Sequence, residues 1–356
     1  MKTLWLLSFC ALFLLWACRC VDGFYVFSSE RSAGMRNPAV SAETVDSYCG
    51  LSTGASLRYV HRSPAKDVRL KAPPLLFIHG TFHGCWCWDE HWLPYFASKG
   101  LDCFAISLRG TAGSTVDGKA LAATIKMEDH VQDAAAFIDE VMKCTRPPVV
   151  IGHSFGGPIV MKLVEARPER LAGAALLCSV PPSGNTAMIW RTTRRSLKEA
   201  VTLTRGFALK TAATNPKDAR ALFFGPSDPS EATLKRYMDR FAEDSKVGLN
   251  LGDFNRNLPI KSMFWAQEKR RREIWKGRGA CEAGSLAPAR PSFLVVGATK
   301  DAVVDSEGVE ATAEFVGLES SSIKWLPGAF HDIMLGSTWD NGAAILEDWL
   351  ETLQKM

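Results

Sequence analysis

Pro148-Val149-Val150-Ile151-Gly152-His153-Ser154-Phe155-Gly156-Gly157 is the stretch on which the reading of this chain turns. A β-branched run leads into Gly-x-Ser-x-Gly, and an apolar pattern of helical spacing follows from Gly157 to Glu165. A serine on so tight a strand-to-helix turn adopts a strained backbone, and glycines two residues to either side let neighbouring segments approach. The motif alone is short, and it gains meaning from the strand before it and the helix after it. In that setting Ser154 reads as a nucleophile raised above a sheet.

Working outward, further apolar runs have the continuous character of strands covered on both faces. They are Pro74 to His79, Leu101 to Leu108, Leu171 to Val180, Pro291 to Gly297 and Ser322 to Leu326. Helical spacing falls between them at Asp89 to Ser98, Met127 to Lys143, Val304 to Phe315 and Thr338 to Leu353. Such alternation predicts an α/β fold whose sheet is mostly parallel, with helices on both faces. Ser56 to Arg62 alternates like an early edge strand, so the folded part is expected to run over 55–182 and 291–356. Residues 183–290 differ in character, with 21 Lys or Arg against 11 Asp or Glu. They read as a helical cap over the active site, with helices at Thr192 to Lys210, Ser230 to Phe241 and Pro259 to Trp275. Gly225-Pro226 and Asp228-Pro229 break them.

At 356 residues and 47% hydrophobic, the chain is long enough to bury a large core without staples. Its net charge of +4 implies no nucleic-acid partner. Residues 1–23 carry Lys2, an apolar run from Leu4 to Cys18 and small or polar residues to Gly23, the layout of a signal peptide. The run is shorter than the roughly 18–20 residues that span a bilayer, which sets an uncleaved anchor second. Entry into the secretory pathway is therefore expected, to a secreted or endomembrane destination. Residues 24–54 read as a linker, or as a transit-like segment that would lead on to a plastid. Removal of the leader beyond Cys20 leaves seven cysteines, an odd number that argues against a complete disulfide framework. Cys85 and Cys87 have no second pair at matching spacing, so no metal and no cofactor is implied.

A serine hydroxyl needs a base, and the base needs a carboxylate to fix its tautomer. Asp301 follows the strand ending near Val296, and His331, the last histidine in the chain, follows the strand ending at Leu326. The order Ser, Asp, His is that of an α/β-hydrolase triad, with Asp305 and Asp332 as competing acids. The N–H of Phe155 is expected to serve as one oxyanion donor. The second is expected from the loop after His79, at Thr81, with Phe82 next. His79, His83 and His91 read as structural, and His153 as packing against the elbow.

Residues 74–114, 148–181 and 291–335 resemble the α/β-hydrolase superfamily of serine esterases and lipases. The stretch His79-Gly80-Thr81-Phe82-His83-Gly84-Cys85-Trp86-Cys87-Trp88 resembles the oxyanion loop of plant methylesterases and hydroxynitrile lyases. The lyases carry lysine after the catalytic histidine where this chain has Asp332, which argues against cyanohydrin cleavage. Ser154 stands where epoxide hydrolases and dehalogenases carry aspartate. The resemblance thus implies an acyl-enzyme hydrolase of small carboxylic esters, lipid-like ones among them given Met188, Trp190, Phe207, Phe223, Phe224, Met263, Phe264 and Trp265 in the cap. It equally admits a hydrolase-like binding protein or receptor that holds a small ligand with little turnover. Lys269-Arg270-Arg271-Arg272 reads as a solvated face, with contact at an anionic membrane surface the lesser reading.

Overall fold

The apolar runs form the sheet. In the computed structural model, β3 (Leu75–Ile78), β4 (Cys103–Ile106), β6 (Val149–His153), β7 (Gly173–Leu177) and β8 (Ser292–Ala298) are buried almost throughout, as parallel strands covered on both faces must be. With β1 (Thr44–Gly50), β2 (Ala55–Arg62) and β9 (Lys324–Leu326) they lie in the order β1-β2-β4-β3-β6-β7-β8-β9, while β5 (Thr115–Val116) pairs with β2 off that path. Pairing is parallel from β4 to β9 and antiparallel where β2 meets β1, β4 and β5. The structure describes residues 44–64, 72–116, 125–245, 250–262, 264–265 and 291–354. The leader, Lys269 to Arg272, Met263 and most of the expected helix at 259–275 lie outside these residues.

One boundary is corrected. Thr44–Gly50 lies in the segment expected to be linker, yet it pairs with β2 along its whole length, from Thr44 opposite Arg62 to Gly50 opposite Ser56. The strand at Ala55–Arg62 is therefore interior, and the fold begins at or before Thr44. The sequence Thr-Val-Asp-Ser-Tyr-Cys-Gly alternates only between exposed and half-buried positions, so no apolar face marks it.

The chain runs from β3 through α1 (Trp86–Asp89) and α2 (Trp92–Ser98) to β4 on one side. It then crosses through α3 (Met127–Ala136) to β6 on the other side. β3 and β6 are thus neighbours whose connections leave in opposite directions, the place where an open α/β sheet forms its crevice. α4 (Gly156–Ala166) follows β6, α10 (Ser306–Phe315) follows β8, and α11 (Trp339–Gln354) closes the chain. Among the described residues no helix is long and apolar enough to cross a membrane.

Between β7 and β8 the cap forms α5 (Thr186–Arg195), α6 (Leu197–Ala208), α7 (Pro216–Phe223), α8 (Glu231–Asp244) and α9 (Leu251–Arg256). The single helix expected from Thr192 to Lys210 is two, because Ser196 is extended (φ −155°, ψ 108°) and its hydroxyl accepts from Glu199 N as an N-cap. α7 was not foreseen; Asn215 caps it and Pro216 supplies its first residue.

The cap is pinned to the loop after β3. Trp86 Nε1 donates to Asp244 Oδ2 at 2.5 Å, and Arg236 binds Glu90 through two hydrogen bonds. Burial pushes the Asp244 carboxyl up from 3.8 to about 6, against the pull of the Trp86 N–H. The folded protein therefore holds a proton here that the unfolded chain has released, and the fold loses stability as pH rises through 4 to 6. Asp244→Asn keeps an acceptor for Trp86 without the ionisation. In urea unfolding from about pH 4 to about pH 7, this variant is expected to gain on the wild type with rising pH, by up to about 3 kcal/mol. A pH-independent difference would refute the assignment. Close approach at the sheet gives a second expectation, because a Cβ on Gly156 would lie 2.4 Å from the Ile78 carbonyl oxygen. Gly156→Ala should destabilise the fold by about 1–3 kcal/mol, read as a lower urea midpoint.

Candidate active site

Ser154 has φ +52°, left-handed for a non-glycine residue, and such a conformation persists only where its surroundings hold it. Its N–H donates to Leu177 O at 3.0 Å, and its carbonyl accepts from Gly157 N at 3.0 Å and Val180 N at 3.1 Å. The end of β7 and the first turn of α4 thus clamp the elbow. Three segments converge here without room for side chains. A Cβ on Gly152 would fall 2.5 Å from Gly156 O, and one on Gly80 would fall 2.7 Å from the Ser154 Cβ.

His331 Nδ1 lies 2.8 Å from Asp301 Oδ2, with both side chains 1% exposed. The other Asp301 oxygen accepts from Val303 N at 2.7 Å and Val304 N at 2.9 Å. A carboxylate held this way leaves one oxygen for the Nδ1–H and puts the lone pair of His331 on Nε2. Asp305, a competing acid, is turned elsewhere: it caps α10 at Gly308 N and takes both arms of Arg191, at 2.6 and 2.7 Å. Asp332, the other competitor, pairs with His83.

The elbow and the base are joined through His153. Its Nε2 donates to the His331 carbonyl at 3.0 Å, and the two rings lie 4.7 Å apart. Burial first, then the neighbouring His331 and His83, hold the His153 ring well below its ordinary pKa, hence neutral. Ser154 and His331 share this end of the sheet, though no hydrogen bond joins the hydroxyl to the ring among the described residues.

His79 sets the loop after β3. Its Nδ1 donates to Gly80 O at 2.7 Å and its Nε2 accepts from Leu108 N at 2.9 Å, a neutral tautomer that agrees with a pKa driven down to about 3 by burial. The N–H of a trans peptide points opposite its C=O. With Gly80 O held toward His79, the Thr81 N–H must point away from that ring. The N–H groups of Thr81, Phe82 and Phe155 donate to no protein acceptor among the described residues.

Apolar surface closes the site. Ser154 is 4% exposed. Phe82 packs edge-on against Phe207, Phe223 and Phe241 of the cap, and Phe223 stacks on His331. Of the cap residues expected to face an acyl chain, Phe207 and Phe223 reach this cluster, whereas Trp190 is exposed and Phe264 packs against Phe293 and Phe315. A hollow of about 440 Å³ lies apart, beside Ser52, Gln132 and Arg167. Ligand atoms within 4.8 Å of one another occur in two sets, Cys178 with Asp301 and His331, and His153 with His331 and Asp332. In the first set burial holds the Cys178 thiol well above its ordinary pKa, and an ion there would compete with the Asp301–His331 bond.

Known proteins bear on this geometry in three ways. Norfluorocurarine synthase 1 of Strychnos nux-vomica is 30% identical over 115 residues, 32% of this chain and 40% of the relative. An Arabidopsis thaliana protein named as a methylesterase of the chloroplast, methylesterase 12, is 24% identical over 110 residues, 31% of this chain and 30% of its own length. The matched stretches therefore span less than half of these relatives. Among solved structures, the enol-lactonase from Burkholderia xenovorans LB400 superposes with a TM-score of 0.59 at 15% identity, covering 86% of this chain and 100% of that one, a likeness of fold. Residues 75–344 match the model of the alpha/beta hydrolase family. With its elbow, its sheet order and that match, this chain belongs to the alpha/beta hydrolase family.

Proposed function

We propose that the protein is a serine hydrolase of carboxylic esters that works through an acyl-enzyme on Ser154. The observation that carries this reading is the buried Asp301–His331 bond, at the end of the sheet where Ser154 sits on its strained turn. In this mechanism His331 Nε2 takes the Ser154 proton as Oγ attacks the ester carbonyl, and the alkoxide leaves with that proton. Asp301 stabilises the imidazolium between the two transfers. The N–H groups of Thr81 and Phe155 receive the developing oxyanion, and water admitted at His331 then releases the acid. The ring cluster of Phe82, Phe207 and Phe223 favours an apolar, lipid-like acyl group. It also requires the cap to shift before substrate enters. A leader at 1–23 directing the chain to the secretory pathway belongs to the same proposal, and the mass of the mature N-terminus tests it.

The closed site favours a second reading, a binding protein of this fold with little turnover. A fluorophosphonate probe with intact-mass detection, followed by kinetics on p-nitrophenyl esters of graded chain length, separates the two. Wild type should label once and turn over repeatedly, with longer acyl chains preferred. A single burst without turnover favours binding. Ser154→Ala should abolish labelling and lower kcat by on the order of 10⁴-fold or more. Asp301→Asn, which favours the wrong tautomer of His331, should cost on the order of 10³- to 10⁴-fold in kcat. Equal labelling of Ser154→Ala would remove Ser154 from the mechanism.

A further inference from the structure

His83 and Asp332 are 249 residues apart and meet in the interior, Nε2 to Oδ2 at 2.9 Å, with side chains 1% and 0% exposed. The other ring nitrogen, Nδ1, lies 2.7 Å from the Thr81 carbonyl oxygen. A carbonyl can only accept, so Nδ1 carries a proton, and a second proton lies between Nε2 and the carboxylate. The other Asp332 oxygen, Oδ1, is buried with no hydrogen-bond partner among the described residues. An anion so poorly solvated is costly unless a cation stands beside it. We infer that His83 and Asp332 form a buried imidazolium–carboxylate pair that locks the loop after β3 to the loop of His331, making His83 a positioning residue for acyl transfer.

The geometry shows how the lock acts. Phe82, between Thr81 and His83, has φ +69°, a left-handed backbone that costs a phenylalanine energy. The His83-to-Thr81 hydrogen bond spans that residue and closes the turn around it. The turn carries the Thr81 N–H proposed as an oxyanion donor. At the other end, the Asp332 N–H donates to Phe223 O at 3.1 Å, and its carbonyl accepts from Leu335 N and Gly336 N. The adjacent side chains thus take different partners: His331 meets Asp301 and Asp332 meets His83.

The surroundings favour a charged ring. Trp86 stacks on His83 at 5.9 Å, while Phe223 and Phe241 of the cap meet it edge-on at 5.7 and 4.9 Å. His153 is the neighbouring base, with rings 6.1 Å apart, and it is held neutral. Burial opposes the charge, whereas Asp332, the Thr81 carbonyl and Asp244 of α8 favour it, and the balance raises the His83 pKa.

The catalytic part of this inference rests on the proposed esterase reading, and the tests keep the two apart. Nitrogen-15 NMR of the labelled wild type, with His83→Gln to identify the resonances, is expected to show both His83 nitrogens protonated at about pH 8, above the ordinary histidine range. A single neutral tautomer there overturns the pair whatever Ser154 does. Asp332→Asn keeps a side chain able to donate to a neutral Nε2 and removes the charge. With an unchanged circular dichroism spectrum it should lower kcat on an activated ester by about 10- to 100-fold, with KM changed by less than about threefold. Asp332→Glu should recover part of the loss. A folded Asp332→Asn with kcat within about twofold of wild type overturns the positioning role. If the asparagine variant does not fold, His83→Gln is held to the same kinetic criterion. A wild type that neither labels nor turns over defeats the esterase reading, and the NMR result still decides the pair.

Discussion

The closeness of two turns governs the chemistry at this end of the sheet. β3 and β6 are hydrogen-bonded neighbours, and the turns that follow them pass each other with a glycine at each point of near contact. Gly80 faces Ser154, Gly152 faces Gly156, and Gly156 faces the carbonyl of Ile78. One methyl group on Gly80 or Gly156 would separate the loop bearing Thr81 from the turn bearing Ser154, and one on Gly152 would force the elbow itself apart. The strained serine is held at that spacing, and beside it the N–H groups of Thr81, Phe82 and Phe155 donate to no protein acceptor among the described residues.

Five histidines crowd this region, and burial and charge treat them differently. His79, His130 and His153 are held neutral by burial, whereas His83 is drawn toward its charged form by Asp332. His331 has one nitrogen committed to Asp301. A low-dielectric site can hold so many imidazoles because three of them are held neutral by burial, and the other two, His83 and His331, are each hydrogen-bonded to a carboxylate.

The core strands and the order of Ser154, Asp301 and His331 could be read from the chain because each depends on local pattern: buried apolar runs, a glycine-flanked serine, a single late histidine. What could not be read depends on partners remote in sequence. Asp305 competes with the preferred Asp301 until Arg191, 114 residues earlier, is seen to occupy it. His83 passes for a loop histidine until Asp332 is found beside it. β1 escaped because Thr44 to Gly50 has neither face deeply buried, and its pairing with β2 rather than its side chains makes it a strand. In the cap, Ser196 and Asn215 are ordinary polar residues until their side chains are seen accepting backbone N–H groups.

The Arg191–Asp305 pair has a mechanical meaning. Arg191 is on the first cap helix, and Asp305 begins α10 four residues beyond Asp301, whose carboxylate is itself held by the N–H groups of Val303 and Val304. A cap that swings outward must either break two charge-assisted bonds or pull on the short segment that orients Asp301. Outward motion of the cap and loosening of the Asp301–His331 bond would then be one motion, so that the bond stays aligned only while the cap is closed.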